Sequence, residues 1–169
     1  MLLQSGKTGK LYDLDIRVFT TDGCRHCQSK LVGLPESEDV SLQQVFQRPE
    51  LLHNNLIFLS TNHRGGMLRA PASWGQLGSR YDALLAANMS PNHPEERWIM
   101  LTRCRAWLVY QGYSQELNTN CLETFGVDSA AEGFWQFHIP TGQGENVWIT
   151  VKMKMLAGKN ALRMDIIRH

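Results

Sequence analysis

Cys24-Arg25-His26-Cys27 is the first stretch of this chain whose residue types and spacing could do chemistry. A CxxC following a strand can be a redox pair, because a helix N-terminus lowers a thiol pKa, and the same spacing can supply two ligands of a structural zinc. Against redox, the βαβ surroundings of such a pair are missing downstream. Against zinc, Cys104 and Cys121 lie far apart and form no second CxxC, although His26, His53 or His63 could complete a tetrahedral set. The expectation is a pair of loop thiols without a ligand; Cys24 and Cys27 stay open as a zinc or redox alternative, and no cofactor is assigned.

A second constellation lies between Met67 and Asp82, which gathers Arg69, Trp74, Gln76, Arg80, Tyr81 and Asp82 in a long loop and the start of a strand. Aromatic faces beside planar hydrogen-bonding side chains suit a sugar, whose C–H groups stack on a ring while its hydroxyls pair with Arg, Asp and Gln. Equally, Trp74 could plug the end of a sandwich and Arg80 could pair with Asp82, and spacing does not choose between the two. Just upstream, Asn62-His63-Arg64-Gly65-Gly66-Met67 reads as a tight turn, since Pro71 and several loop formers follow where a phosphate loop needs a helix. For glycoside hydrolysis Glu95, Glu96, Glu116, Glu123, Asp128 and Glu132 are available, but each sits in or beside a polar, turn-rich segment and no pair stands out. There is no nucleophile elbow and no HExxH, so no catalytic residue is assigned.

The elements that must position these groups are strands. Val147, Ile149, Val151, Met153 and Met155 share one face while Thr150, Lys152 and Lys154 share the other; Ala157 to Asn160 turn the chain, and Leu162, Met164 and Ile166 resume the alternation. Strands are also predicted over Leu11 to Phe19, Leu56 to Ser60, Arg80 to Ala87, Arg97 to Gln111 and Phe134 to Ile139. Residues 24–55 read as a surface excursion with one short helical pattern at Leu42, Val45 and Phe46 that Pro49 stops. No strand–helix–strand rhythm repeats, which leaves an all-β fold, an antiparallel β-sandwich, as the expectation for residues 1–169 as one domain. Seventeen Lys plus Arg balance sixteen Asp plus Glu at a net charge of +1, so no basic field holds a nucleic acid. No stretch approaches the roughly 20 apolar residues that span a bilayer, and no signal peptide opens the chain, so no membrane partner is expected and the chain reads as cytoplasmic.

The order of the motifs carries a resemblance. Ser60 to Met67, then Gly78-Ser79-Arg80-Tyr81-Asp82-Ala83-Leu84-Leu85-Ala86-Ala87, then Pro94 to Arg97 and the strand Trp98-Ile99-Met100-Leu101, resemble the N-terminal domain of bacterial and archaeal glycogen debranching enzymes. That family's pattern is an Asn-Gly-x-Gly-Gly turn, an Arg-x-Tyr-His-Gly-Leu-Leu strand, a Pro-rich turn with Arg, and an apolar strand. Here His63 stands for the first glycine and Tyr81-Asp82-Ala83 for Tyr-His-Gly, and the first fifty or so residues have no counterpart. The resemblance implies a β-sandwich of the supersandwich type, the N-terminal part of a longer amylo-α-1,6-glucosidase, a glycoside hydrolase whose catalytic carboxylates lie in a C-terminal (α/α)6 barrel. It implies that barrel as partner, α-glucan as a possible ligand, and Arg69, Trp74, Arg80, Tyr81 and Asp82 as the residues to contact it.

Overall fold

A computed structural model describes residues 11–32, 43–90, 92–93, 95–128, 130–142 and 144–169. The chain divides into two compact units, 1–41 and 42–169. In the first, β1 (Leu11–Thr20) and β2 (Gly23–Val32) form an antiparallel ribbon turned at residues 21 and 22. Ile16, Val18 and Phe19 are exposed on it.

The second unit is all-β, as the alternation predicted, and its core lies between two antiparallel sheets. The larger has the order β13-β12-β11-β10-β3, with β3 at Gln43–Gln47, β10 at Leu122–Asp128, β11 at Gly133–Pro140, β12 at Asn146–Met155 and β13 at Leu162–Arg168. The smaller runs β4-β5-β6-β7: Ile57–Thr61, Met67–Pro71, Ala83–Asn88 and Arg97–Leu101. A hairpin of β8 (Trp107–Tyr110) and β9 (Tyr113–Glu116) pairs, among the described residues, only with itself.

Period-two burial builds the core. Trp135, Phe137 and Ile139 alternate inward on β11, Val151 and Met153 on β12, and they meet Phe58 and Leu68 from the smaller sheet. Phe58, Phe125 and Trp135 contact one another edge-on or tilted, with centroids 4.9–5.9 Å apart. Of the expected face on β12, Val147, Ile149, Val151, Met153 and Met155 are all buried.

Several expectations are corrected. The surface excursion expected over residues 24–55 carries regular structure where it is described: β2 completes the ribbon, and β3 is an edge strand of the larger sheet. The helical pattern at Val45 and Phe46 belongs to β3, while Leu42 lies outside the described residues. Pro49 does not stop a helix; it opens α1 (Arg48–His53), where a missing N–H costs nothing because first-turn donors have no partner in the helix. The Arg97 to Gln111 run breaks into β7 and β8. Met67 to Pro71, read as loop, is β5. No helix among the described residues is long and apolar enough to cross a membrane.

Candidate functional site

The residues singled out for sugar contact come from β5 and from the loop that follows it to β6. Arg69 points to the outer face of the smaller sheet, opposite Ala83, and its guanidinium Nη1 donates to Asp82 Oδ1. Asp82 is buried, and its second oxygen accepts the backbone N–H groups of Gly78 (2.6 Å) and Ser79 (2.8 Å). A carboxylate holding three donors is committed to closing its own loop. Asp82 therefore positions the loop, and its partner is Arg69 rather than the sequence neighbour Arg80. Arg80 turns outward instead, donating to Tyr81 Oη at 2.6 Å with its guanidinium 4.8 Å from that ring's centre, and Tyr81 is 55% exposed.

Trp74 is only 5% exposed. Its ring meets Trp135 and Phe137 edge-on at 5.6 and 5.5 Å, so it is the plug of the sandwich end and offers no free face for a sugar to stack on. The expectation of Trp74 as a stacking platform is corrected on that ground. Trp135 pins the start of the same loop, its Nε1 donating to the Ala72 carbonyl at 2.8 Å. Trp74 Nε1, by contrast, is buried with no partner among the described residues.

A cleft of about 250 Å³ opens over this loop, with Arg69 and Asp82 at its floor and Asn55, Ser73, Gln76 and Ser79 around it. The sequence reading missed Asn55, Ser73 and Ser79. No local signal could have found Asn55, which arrives from the segment before β4, and the two serines look like any loop polar residue.

At the other end of β5, Asn62 is fully buried. Its Oδ1 accepts from the backbone N–H of Arg64 (3.0 Å) and Gly66 (2.8 Å), and its Nδ2 donates to the Lys159 carbonyl and to Asn160 Oδ1, both at 3.0 Å. Asn160 in turn accepts from the Asn88 N–H and donates to the Asn88 carbonyl, and Asn88 Nδ2 donates to the carbonyls of His93 and Glu96. Three asparagines thus join three connections: β4–β5, β6–β7 and β12–β13. A Cβ on Gly66 would stand 2.4 Å from Asn62 Nδ2, which is why a glycine closes this turn. His63 has φ +62°, the left-handed conformation in which the resembling pattern places a glycine.

The thiols do not converge. Cys24 sits opposite Phe19 and Cys27 opposite Ile16, three residues apart on one strand, so their side chains leave from opposite faces of the ribbon. Among the described residues no group of three His, Cys, Asp or Glu could hold a metal ion. Burial pushes the Cys121 thiol up, keeping it protonated where it reaches the carbonyls of Glu116 and Asn118.

Glu116, Glu123, Asp128 and Glu132 meet cations or backbone rather than one another. Glu116 takes Arg105 through two bonds of 2.6 and 2.9 Å, and that guanidinium holds its carboxyl below the usual range. Glu123 pairs with Arg48 and Glu132 with Lys152 and Lys154. Asp128 accepts the N–H groups of Ala130 and Glu132. Glu95 lies 3.5 Å from His93.

A family model described as glycogen debranching enzyme N terminal matches residues 58–166, from the second residue of β4 to within two residues of the end of β13. No curated protein and no solved structure matches the chain.

Proposed function

The chain belongs to the glycogen debranching enzyme N-terminal family, and from that premise we propose that it is a non-catalytic domain of an α-glucan debranching glycosidase. In this reading it packs on a catalytic barrel of the (α/α)6 kind and contributes to glucan contact, in the cytoplasm. The observation that carries it is the match over residues 58–166, which takes in both sheets apart from β3.

Two features of the surface support it. Trp98 and Met100, on one side of the edge strand β7, and Ile57 and Leu59, on one side of the opposite edge strand β4, are exposed apolar side chains of the smaller sheet, the composition expected of edges that another body covers. Glu116, Glu123 and Glu132 are paired with cations and Asp128 is engaged by the backbone, whereas hydrolysis of a glycosidic bond asks for an acid and a second carboxylate across the same bond. Tyr81, held by Arg80 and exposed, is the aromatic group that the loop presents to a ligand.

Native electrophoresis of the purified chain through gels containing glycogen tests the glucan half of the reading, with branched limit dextrin as substrate in a parallel assay. The expected result is retardation by glycogen, none by a β-linked glucan, and no release of glucose. Unretarded migration would overturn glucan contact. Glucose release abolished by replacing one carboxylate of this chain would overturn its non-catalytic role.

A further inference from the structure

The buried indole nitrogen of Trp74 has no partner among the described residues, and an unpaired donor in a packed interior is costly enough to require an account. Trp74 lines a hollow of about 20 Å³, room for roughly one oxygen atom with its hydrogens. That hollow and the 250 Å³ cleft share Arg69, Pro71 and Gln76 in their walls, so the two spaces adjoin. At this size the cleft lies below the roughly 300–1,000 Å³ of drug-sized sites and suits a single ring.

Its lining defines the ligand's chemistry. The only charges are Arg69 and Asp82, which cancel in their mutual pair, so neither an anion nor a cation finds a net counter-charge. The rest of the polar wall is neutral: the amides of Asn55 and Gln76 and the hydroxyls of Ser73 and Ser79. Arg69 has one guanidinium nitrogen on Asp82 and its others without a protein partner among the described residues. Ile57 and Pro71 supply an apolar wall for C–H groups.

We infer that this cleft holds one hexose ring of an α-glucan, its hydroxyls bonded to Arg69, Gln76 and Asn55. An oxygen in the adjoining hollow, from the sugar or from a water it binds, accepts the Trp74 Nε1–H. The inference rests on the glucan reading above and adds to it the place and the groups.

Titration of the isotope-labelled chain with maltotriose, followed by amide and indole N–H resonances, tests it, with the Trp74 indole signal assigned by its loss in Trp74→Phe. The expected result is movement of the Gln76 and Ser79 amides and of the Trp74 indole. Gln76→Leu, a change at an exposed residue, weakens that binding about three- to tenfold without altering the melting temperature. Shifts confined to Tyr81 or to any other surface overturn the cleft and leave the glucan reading standing. Equal shifts with cellotriose keep a hexose in the cleft and overturn the α-glucan reading. No shift with either sugar overturns the inference.

Discussion

At one end of β5 the chain is fastened by a neutral amide and at the other by a carboxylate. Asn62 and Asp82 are almost the same shape, both are buried, and each accepts two backbone N–H groups from the turn it closes. They differ in what stands opposite. Asn62 faces acceptors, a carbonyl and an amide oxygen, so it must also donate; Asp82 faces the Arg69 guanidinium, so it must carry charge. A turn can thus be closed by either residue, and the neighbours from other strands decide which.

Exchanging the two groups is the way to break that comparison. Asn62→Asp sets a carboxylate against the Lys159 carbonyl and Asn160 Oδ1 with no cation bonded there among the described residues, and is expected to cost about 3 to 5 kcal/mol in urea or thermal unfolding. Asp82→Asn keeps an oxygen for the loop amides and weakens only the bond to Arg69, which is itself partly exposed. The expected cost is about 1 to 3 kcal/mol. Equal losses from the two exchanges would remove the distinction between the ends. The smallest effect sharpens it: His63→Gly relieves a left-handed residue in the Asn62 turn and is expected to stabilise the chain by about 0.5 kcal/mol, the relief outweighing glycine's added freedom when unfolded. A destabilised His63→Gly chain would mean that the imidazole contributes more than its backbone costs.

What was legible in the sequence follows from the reach of each interaction. The β12–β13 hairpin was readable because alternation and turn lie within twenty-odd contiguous residues, and the apolar face of β12 is buried along its whole length. β5 was hidden by Arg69 and Pro71 on its outer face, and β10 by Glu123, Thr124, Gly126 and Asp128, which read as a polar turn. β3 carried a spacing compatible with either period, and only its pairing with β10 selects the strand. In the site, the residue types around the loop were readable but their partners were not. Arg69 reaches Asp82 because β5 and β6 pair, Trp74 is buried because Trp135 and Phe137 come from β11, and Asn62 needs Asn88 and Asn160 from two other connections.

The seating of β3 also sets an order of assembly. From β10 to β13 the larger sheet is a meander, each strand pairing with the next in sequence, so its loops close quickly. β3 pairs Gln47 with Thr124 and Gln43 with Asp128, a register that forms only when the chain has closed around everything between. It is the last strand expected to arrive, and until it does β10 presents an open edge, including Gly126, whose missing Cβ leaves room for the Gln44 carbonyl and the Phe134 ring. A second folding chain can occupy that edge as readily as β3 can. Refolding yield should therefore fall as protein concentration rises, and dilution alone should restore it.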